Sequence, residues 1–393
     1  MQSVRKLCAL TVSACLAIAA QPAIAAWQLD LTEGVTQVSR DVYALHRIML
    51  WICVVIAIIV FGAMFYSILQ HRKSKGVKPA HFHENTAIEI LWTVIPFLVL
   101  IAMAVPATRT LLSMADSGNA DLTIRVTGSQ WKWHYEYLDY KGDNSLKLGY
   151  LSMLSTPSSQ YDNHNGPAFP GKEKALEGKG EHYLLEVDKP LVIPTGEKVR
   201  FLITSDDVIH AWYVPAFSIK RDAVPGFVNE QWTRVDKEGI YRGQCAELCG
   251  KDHGFMPIVV EAKNPEDFKR WLANAQAQQK ADEEAAANSV DKTFSKAELM
   301  AEGEKVYNAR CAACHQANGS GLPPMFPALK GSLIANNKER LADHISIVLN
   351  GKNAMPAWKS QLKPKELAAV ITFERNSWGN DTGDVVQPKD VVK

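Results

Sequence analysis

The apolar positions change their period three times along the chain, and each change marks a different kind of element. At the start they run unbroken. Leu7 to Ala20 is apolar, with Arg5 and Lys6 before it and Ala23-Ile24-Ala25 after it. Residues 1–26 therefore predict a secretory signal with a small-residue cleavage site. Val12-Ser13-Ala14-Cys15 also fits a lipobox, which leaves lipid attachment at Cys15 as the other processing route. Ile48 to Leu69 carries no charge and is followed by the basic cluster His71-Arg72-Lys73-Ser74-Lys75-Gly76-Val77-Lys78. About 20 apolar residues cross a bilayer core, and the basic loop belongs on the cytoplasmic side. A second span runs from about Ile88 to Ala107, interrupted by Pro96 and with Glu89 near its cytoplasmic start. Residues 27–110 thus predict a two-helix transmembrane hairpin. The rest of the chain then lies on the outer side, in the periplasm or its equivalent.

Beyond the hairpin, over residues 111–262, the period falls to two. Leu122-Thr123-Ile124-Arg125-Val126 and Val199-Arg200-Phe201-Leu202-Ile203 alternate, and turn signals such as Pro194-Thr195-Gly196-Glu197 separate the runs. The spacing predicts an all-β sandwich or barrel. Residues 141–180 are rich in Gly, Ser, Pro and Asn and read as a surface loop, with His164 solvated. Asn264 to Lys280 looks helical, and Ala-Gln-Lys-Glu composition continues to Asn288. No apolar face there is strong enough to build a core, so residues 263–292 read as a linker. The final unit, residues 293–393, opens with the capping box Ser295-Lys296-Ala297-Glu298 and a helix to about Asn308. Pro364 to Ser377 is a second helix. This small all-α unit is short of apolar residues and would gain from a bound cofactor.

Composition narrows the function. With 43 Lys plus Arg against 42 Asp plus Glu, the 393 residues carry a net charge of +1, which argues against a nucleic-acid partner. Seven cysteines are too few for a disulfide scaffold of this length, so each is judged by its neighbours.

Two clusters carry chemistry. Cys311-Ala312-Ala313-Cys314-His315 is the attachment signature of haem c, with both thiols bonded to the haem and His315 beneath the iron. Met355, in Gly351-Lys352-Asn353-Ala354-Met355-Pro356, is the best sixth ligand; Met325 competes, and His344 is a weaker rival read as a helix-surface residue. The second cluster is Cys245-Ala246-Glu247-Leu248-Cys249-Gly250-Lys251-Asp252-His253-Gly254-Phe255-Met256, with His210 upstream. Soft thiolate and thioether ligands select copper. Cys245 and Cys249 can bridge two copper ions, with His210 and His253 on one each and Met256 and the Glu247 carbonyl completing the set. A Cys245–Cys249 disulfide is the other reading.

The hairpin, Gly128-Ser129-Gln130-Trp131-Lys132-Trp133-His134-Tyr135-Glu136-Tyr137, Asp207-Val208-Ile209-His210-Ala211-Trp212 and the Cys245-to-Met256 loop together resemble subunit II of cytochrome c oxidase, over about Gly34 to Glu261. The remainder resembles a fused class I cytochrome c. The resemblance implies a cupredoxin-like all-β barrel holding a dinuclear copper A centre, followed by a small all-α cytochrome c domain. It implies that electrons enter at Trp131, and that Trp133 is an ordinary barrel tryptophan. It also implies that Glu247 touches copper through its carbonyl and a magnesium ion through its carboxylate, and that Asp207 lies near the subunit interface. Glu89 would mark the mouth of a proton pathway. Ser129 stands where many relatives carry His, and Lys132 replaces the usual aromatic residue. The expected partners are oxidase subunits I and III and a cytochrome c donor. The expected activity is that of a proton-pumping oxidase whose oxygen-reducing site lies in subunit I. Two rivals are a copper chaperone, which needs an open and exchangeable site, and a quinol-oxidase subunit that has lost its copper; the full ligand set and the attached haem oppose both.

Overall fold

The computed structural model describes residues 30–76, 83–156, 180–353, 355–359 and 361–392. The signal segment, Cys15, His164 and the tip of the cytoplasmic loop fall outside the described residues. Helix α1, Gln37–Gln70, starts at a Thr36–Ser39 capping box. Helix α2, Thr86–Ala115, is capped by Asn85 and contains both Pro96 and Pro106. The span is therefore not interrupted at Pro96: the helix continues through it, as proline is tolerated where neighbouring groups re-satisfy the freed backbone in a membrane. Both helices are long and apolar enough to cross a bilayer. Their outer ends are tied to the soluble region. The Val35 N–H donates to the Ala216 carbonyl at 3.0 Å, and Trp232 Nε1 donates to the Ser113 carbonyl at 3.0 Å.

The alternating segments form two five-stranded sheets. One has the order β3-β2-β1-β5-β8 and the other β4-β10-β9-β6-β7. Their strands are β1 Leu122–Ser129, β2 Lys132–Tyr140, β3 Leu148–Ser152, β4 Leu191–Pro194, β5 Val199–Ser205, β6 His210–Val214, β7 Ile219–Ala223, β8 Asn229–Thr233, β9 Gly239–Cys245 and β10 Pro257–Lys263. Part of the stretch read as a loop, β3, is thus a strand paired with β2. Strand β1 runs parallel to β5, and β10 runs parallel to β4. Alternate residues Val199, Phe201 and Ile203 of β5 meet Leu122, Ile124, Trp212, Ile258 and Val260 in one core. The two sheets are the all-β architecture that the period-two pattern predicts, in the cupredoxin-like form that the resemblance implies.

The stretch read as a linker is largely helix α3, Pro265–Ser289. Its first three turns carry Phe268, Trp271, Leu272 and Ala275, spaced i, i+3, i+4 and i+7, and they pack on the barrel core. Phe268 stacks edge-on to Tyr140 at 5.2 Å, and Trp271 lies 5.5 Å from Tyr137. The expectation of no core-forming face is corrected: the face is short, and polar composition further along dilutes it.

The C-terminal unit crosses α4, Lys296–Arg310, against α6, Pro364–Arg375, with α5, Leu341–Asn350, beside them. The Ser295–Glu298 capping box is present. Gly303 allows the crossing: a Cβ there would lie 2.1 Å from the Ala369 carbonyl oxygen and 2.7 Å from Phe373 Cβ. Gly303→Ala should destabilise this unit by about 3 kcal/mol, since close-packed helices cannot absorb an added methyl against backbone. Thermal unfolding followed at the haem band should then shift down by roughly 12 °C or more. An unchanged midpoint would show that the helices part at no cost.

Candidate functional site

Strands β6 and β9 are neighbours, and Trp212 pairs with Cys245. They bring His210, at the start of one, to Cys245, at the end of the other. The Cys245-to-Met256 loop then folds back toward β10, turning at Gly250, whose φ is +114°. Cys245 Sγ lies 3.9 Å from His210 Nδ1, 3.8 Å from Cys249 Sγ and 3.4 Å from the Glu247 carbonyl oxygen. Cys249 Sγ lies 3.4 Å from His253 Nδ1 and 3.6 Å from Met256 Sδ. Both cysteines are free thiols. Among the described residues His210, Cys245 and Cys249 form a buried group able to hold a metal ion.

The surroundings prepare this set for a soft cation. Asp207 Oδ1 takes a 2.9 Å hydrogen bond from His210 Nε2, which turns Nδ1 toward the sulfurs. Burial works against a charged His210 ring, but Asp207 and then Cys245 outweigh it and raise its pKa. Burial also works against an ionised Asp207; His210 and the backbone N–H groups of Gln130 and Val208 win, and its pKa is lowered. The Cys249 thiol donates to Cys245 and lowers its pKa, while Cys249 keeps its own proton well above the usual range. A soft cation bridging the two sulfurs would take the place of that shared proton and hold both as thiolates. Thiol, thioether and imidazole donors at this spacing fit copper.

Trp131 covers the loop. It is buried, and its Nε1 donates to the Cys249 carbonyl at 3.2 Å. Its ring meets Phe326 of the C-terminal unit edge-on at 6.4 Å. Trp133 is fully buried in the barrel, with its ring 6.0 Å from His210. Glu247 keeps its carboxylate at the surface, 3.8 Å from Lys220 Nζ. Glu89 stands in the first turn of α2, a 30-residue helix, so about 40 Å of helix separates it from the barrel.

Cys311 caps a single helical turn, Ala312–His315, just beyond α4, and Cys314 lies within that turn. Burial pushes the Cys311 thiol far up and the Cys314 thiol up to about 11. His315 Nδ1 donates to the Pro327 carbonyl at 2.9 Å, which fixes the ring and leaves Nε2 for iron. These three residues line a cavity of about 390 Å³, largely apolar and shared by Met325, Met355, Trp358 and His344. The donor set and the apolar walls fit a haem. Met355 is half-buried and packs on the domain core, whereas Met325 is 73 % exposed. Lys352 and Met355 exchange backbone hydrogen bonds at 2.9 and 3.0 Å, and at Gly351, φ +75°, a Cβ would strike the Met355 carbonyl oxygen at 2.5 Å.

His344 is not a surface residue. It is buried, and its Nε2 pairs with the equally buried Glu374 at 2.8 Å. The spacing Leu341, Ile345 and Val348 already marks one face of α5, and His344 lies beside it. Two further residues escaped the sequence reading, and a third, Lys132, was singled out without its burial. Gln130 lines the haem cavity and donates from Nε2 to the Cys249 carbonyl at 2.9 Å. Glu374 reaches that cavity from α6. Lys132 is buried, which pulls its ammonium down to about 8.

A sulfur-rich metal loop on a cupredoxin-like barrel, behind a membrane hairpin and beside a haem-attachment turn, defines a membrane-anchored metalloprotein. Comparison with known proteins agrees. Residues 122–263 match the periplasmic domain of cytochrome c oxidase subunit II, and residues 24–110 match its transmembrane domain. Residues 298–373 match subunit III of cbb3-type cytochrome c oxidase. The probable cytochrome c oxidase subunit 2 of Rickettsia prowazekii (strain Madrid E) is 40% identical over 248 residues, 63% of this chain and 72% of that protein. The Rickettsia bellii (strain RML369-C) protein of the same description is 38% identical over 274 residues, 70% of this chain and 93% of that one. The crystal structure of the periplasmic domain of subunit II of cytochrome oxidase of Bradyrhizobium japonicum is 36% identical, with a TM-score of 0.33, covering 41% of this chain and 98% of that one. This chain belongs to the cytochrome c oxidase subunit II family and carries a cytochrome c domain at its C-terminal end.

Proposed function

We propose that this chain accepts electrons for a proton-pumping cytochrome c oxidase. It passes them from cytochrome c, through its haem and copper domains, to subunit I, where oxygen is reduced to water. The contact geometry of the Cys245–Cys249 loop carries this reading: three side-chain donors and one carbonyl converge on two sulfurs 3.8 Å apart. When bound, two copper ions and a covalent haem c supply one-electron carriers that need no bond making. His210, Cys245, Cys249, His253, Met256 and the Glu247 carbonyl would hold the copper. Cys311, Cys314, His315 and Met355 would hold the haem. The buried, hydrogen-bonded ligands limit movement between redox states. Trp131 seals the loop from water and offers its ring at the point of electron arrival. The Glu247 carboxylate is free to turn to a magnesium ion shared with subunit I, and Glu89 to hand protons to that subunit from the cytoplasmic side. Subunits I and III would flank the hairpin in the bacterial inner membrane.

Visible and near-infrared spectra with metal analysis of the purified protein test the reading. Two coppers per chain and haem that survives acid–acetone extraction are expected. Zinc in the loop, or extractable haem, would overturn it. A second expectation concerns the axial ligand. Met355→Ala should remove the weak red sulfur-to-iron band and lower the haem potential, because Met355 is the half-buried thioether of the cavity. Met325→Ala should keep the band. The reverse pattern in the two spectra would exchange their roles.

A further inference from the structure

The cavity beside the haem-attachment turn is walled mostly by apolar side chains, and two of its polar residues stand apart. His344 of α5 and Glu374 of α6 are each only 3 % exposed, and His344 Nε2 lies 2.8 Å from Glu374 Oε2. His344 Nδ1 is buried as well, and among the described residues it finds no hydrogen-bond partner. A pair that only braced α5 against α6 would leave no such nitrogen, because an unpaired buried polar atom costs stability. With Nε2–H donating to the Glu374 carboxylate, Nδ1 presents a bare lone pair, the position at which the ring takes a second proton. The carboxylate supplies the negative charge that holds this proton. Other groups facing the pair are already committed. Tyr307 and Cys311 of α4 are pushed up first by burial and next by the Glu374 charge. Tyr307 donates its proton to the Gln316 carbonyl at 2.7 Å, and Cys311 has none once its sulfur is bonded to haem. Arg375 turns to Asp384 at 2.8 Å, and the exposed Asp343 pairs with Arg340. Arg310 and Lys352, the other charged residues lining the cavity, are cations. Glu374 is therefore the one carboxylate among the described lining residues, and His344 the one imidazole besides His315.

We propose that His344 and Glu374 form a redox-linked proton site: His344 Nδ1 takes one proton from solvent when the C-terminal domain accepts an electron, and returns it when the electron leaves. The inference rests on a haem occupying this cavity, as proposed above, and goes beyond that reading. Each electron adds one negative charge to a water-poor cavity, and the proton adds one positive charge to its wall. One N–H bond forms at Nδ1 on reduction and breaks on oxidation, and no other bond changes. Charges in such surroundings are weakly screened, so the reduced domain holds the proton more tightly than the oxidised one. By linkage the reduced form is favoured at low pH, and that advantage is lost as pH rises through the two proton affinities. Glu374 is the positioning residue of the site: it orients the ring and stabilises the imidazolium. The buried pair and its free nitrogen are explained together by this role.

The test is a redox titration of the purified full chain, read at the haem absorption band from about pH 5 to about pH 9, where an imidazole titrates. Two variants accompany it. Glu374→Gln keeps an acceptor for the Nε2–H and removes the charge. His344→Gln keeps a donor for Glu374 and removes the titrating ring. In the unaltered chain the reduction equilibrium should fall by up to about tenfold per pH unit across part of this range. In both variants the fall should shrink to less than about twofold per unit, with covalent haem retained. A flat potential in the unaltered, haem-bearing chain would overturn the proton site. So would a slope that survives in both variants, which would place the proton elsewhere. Should one variant lose its haem, the other decides. Should both lose it, nitrogen NMR of the histidine-labelled unaltered chain decides: one ring besides His315 should gain a proton on reduction, and no such ring would sink the proposal. A chain that carries no covalent haem at all would overturn the haem reading and this one together, whereas a haem-bearing chain with a flat potential overturns this one alone.

Discussion

Cys249→Ser is expected to break the two-copper loop and cut oxidase turnover at least about 100-fold while the haem domain stays attached and reducible. Cys249 is the hub of the loop: its sulfur contacts the Cys245 sulfur, His253 Nδ1 and Met256 Sδ, and its carbonyl takes hydrogen bonds from Gln130 and Trp131. A serine hydroxyl is a hard donor that does not ionise at neutral pH, so it cannot bridge two soft cations. The backbone carbonyl is unchanged, and the hydroxyl lies within reach of His253, so the loop keeps its shape. The burial cost of the new hydroxyl is about 1–3 kcal/mol at most, which a barrel with this core can absorb. Copper content should fall from two ions per chain to one or none, and turnover by a factor of at least about 100, since a broken relay has no parallel route. Metal analysis and oxygen uptake measure these. Two coppers with normal turnover would remove Cys249 from the ligand set.

How much of this was readable from sequence depends on how far apart the cooperating residues lie. The copper ligands Cys245, Cys249, His253 and Met256 share one short loop, and the haem ligands Cys311, Cys314 and His315 share one turn. Local spacing therefore carries their chemistry. His210 was readable through its place at a strand end, because strand pairing brings β6 to β9. What the sequence hid was contact between elements. The apolar face of α3 spans only two turns, and the Ala-Gln-Lys-Glu run after it lowers the average. His344 looks polar and exposed until Glu374, on another helix, is seen to pair with it. Lys132 is the sharpest case. A period-two pattern correctly turns it away from the barrel, and only a second domain makes that direction a buried one. Patterns within a strand report on the core of its own sheet and say nothing of what later docks outside it.

Removing the haem domain separates the two routes by which electrons can reach the copper. Ending the chain after Ser289 should leave a folded copper domain, because Phe268 and Leu272 of α3 stay in the barrel core. The cut breaks the Lys363–Asp282 ion pair at 3.3 Å and the contacts around Lys132, and it uncovers Trp131. Lys132 then regains water, so no buried charge is left without a partner. The tether is lost as well. A tethered donor acts at an effective concentration in the millimolar range. With a soluble cytochrome c at micromolar concentration, turnover of the shortened oxidase should fall on the order of 100-fold. It should also rise in proportion to added cytochrome c, where the intact enzyme saturates. Steady-state oxygen uptake against cytochrome c concentration, run on both forms with equal copper content, reads this directly. Identical curves would mean that electrons bypass the haem domain in the intact chain, and the domain would then need another role.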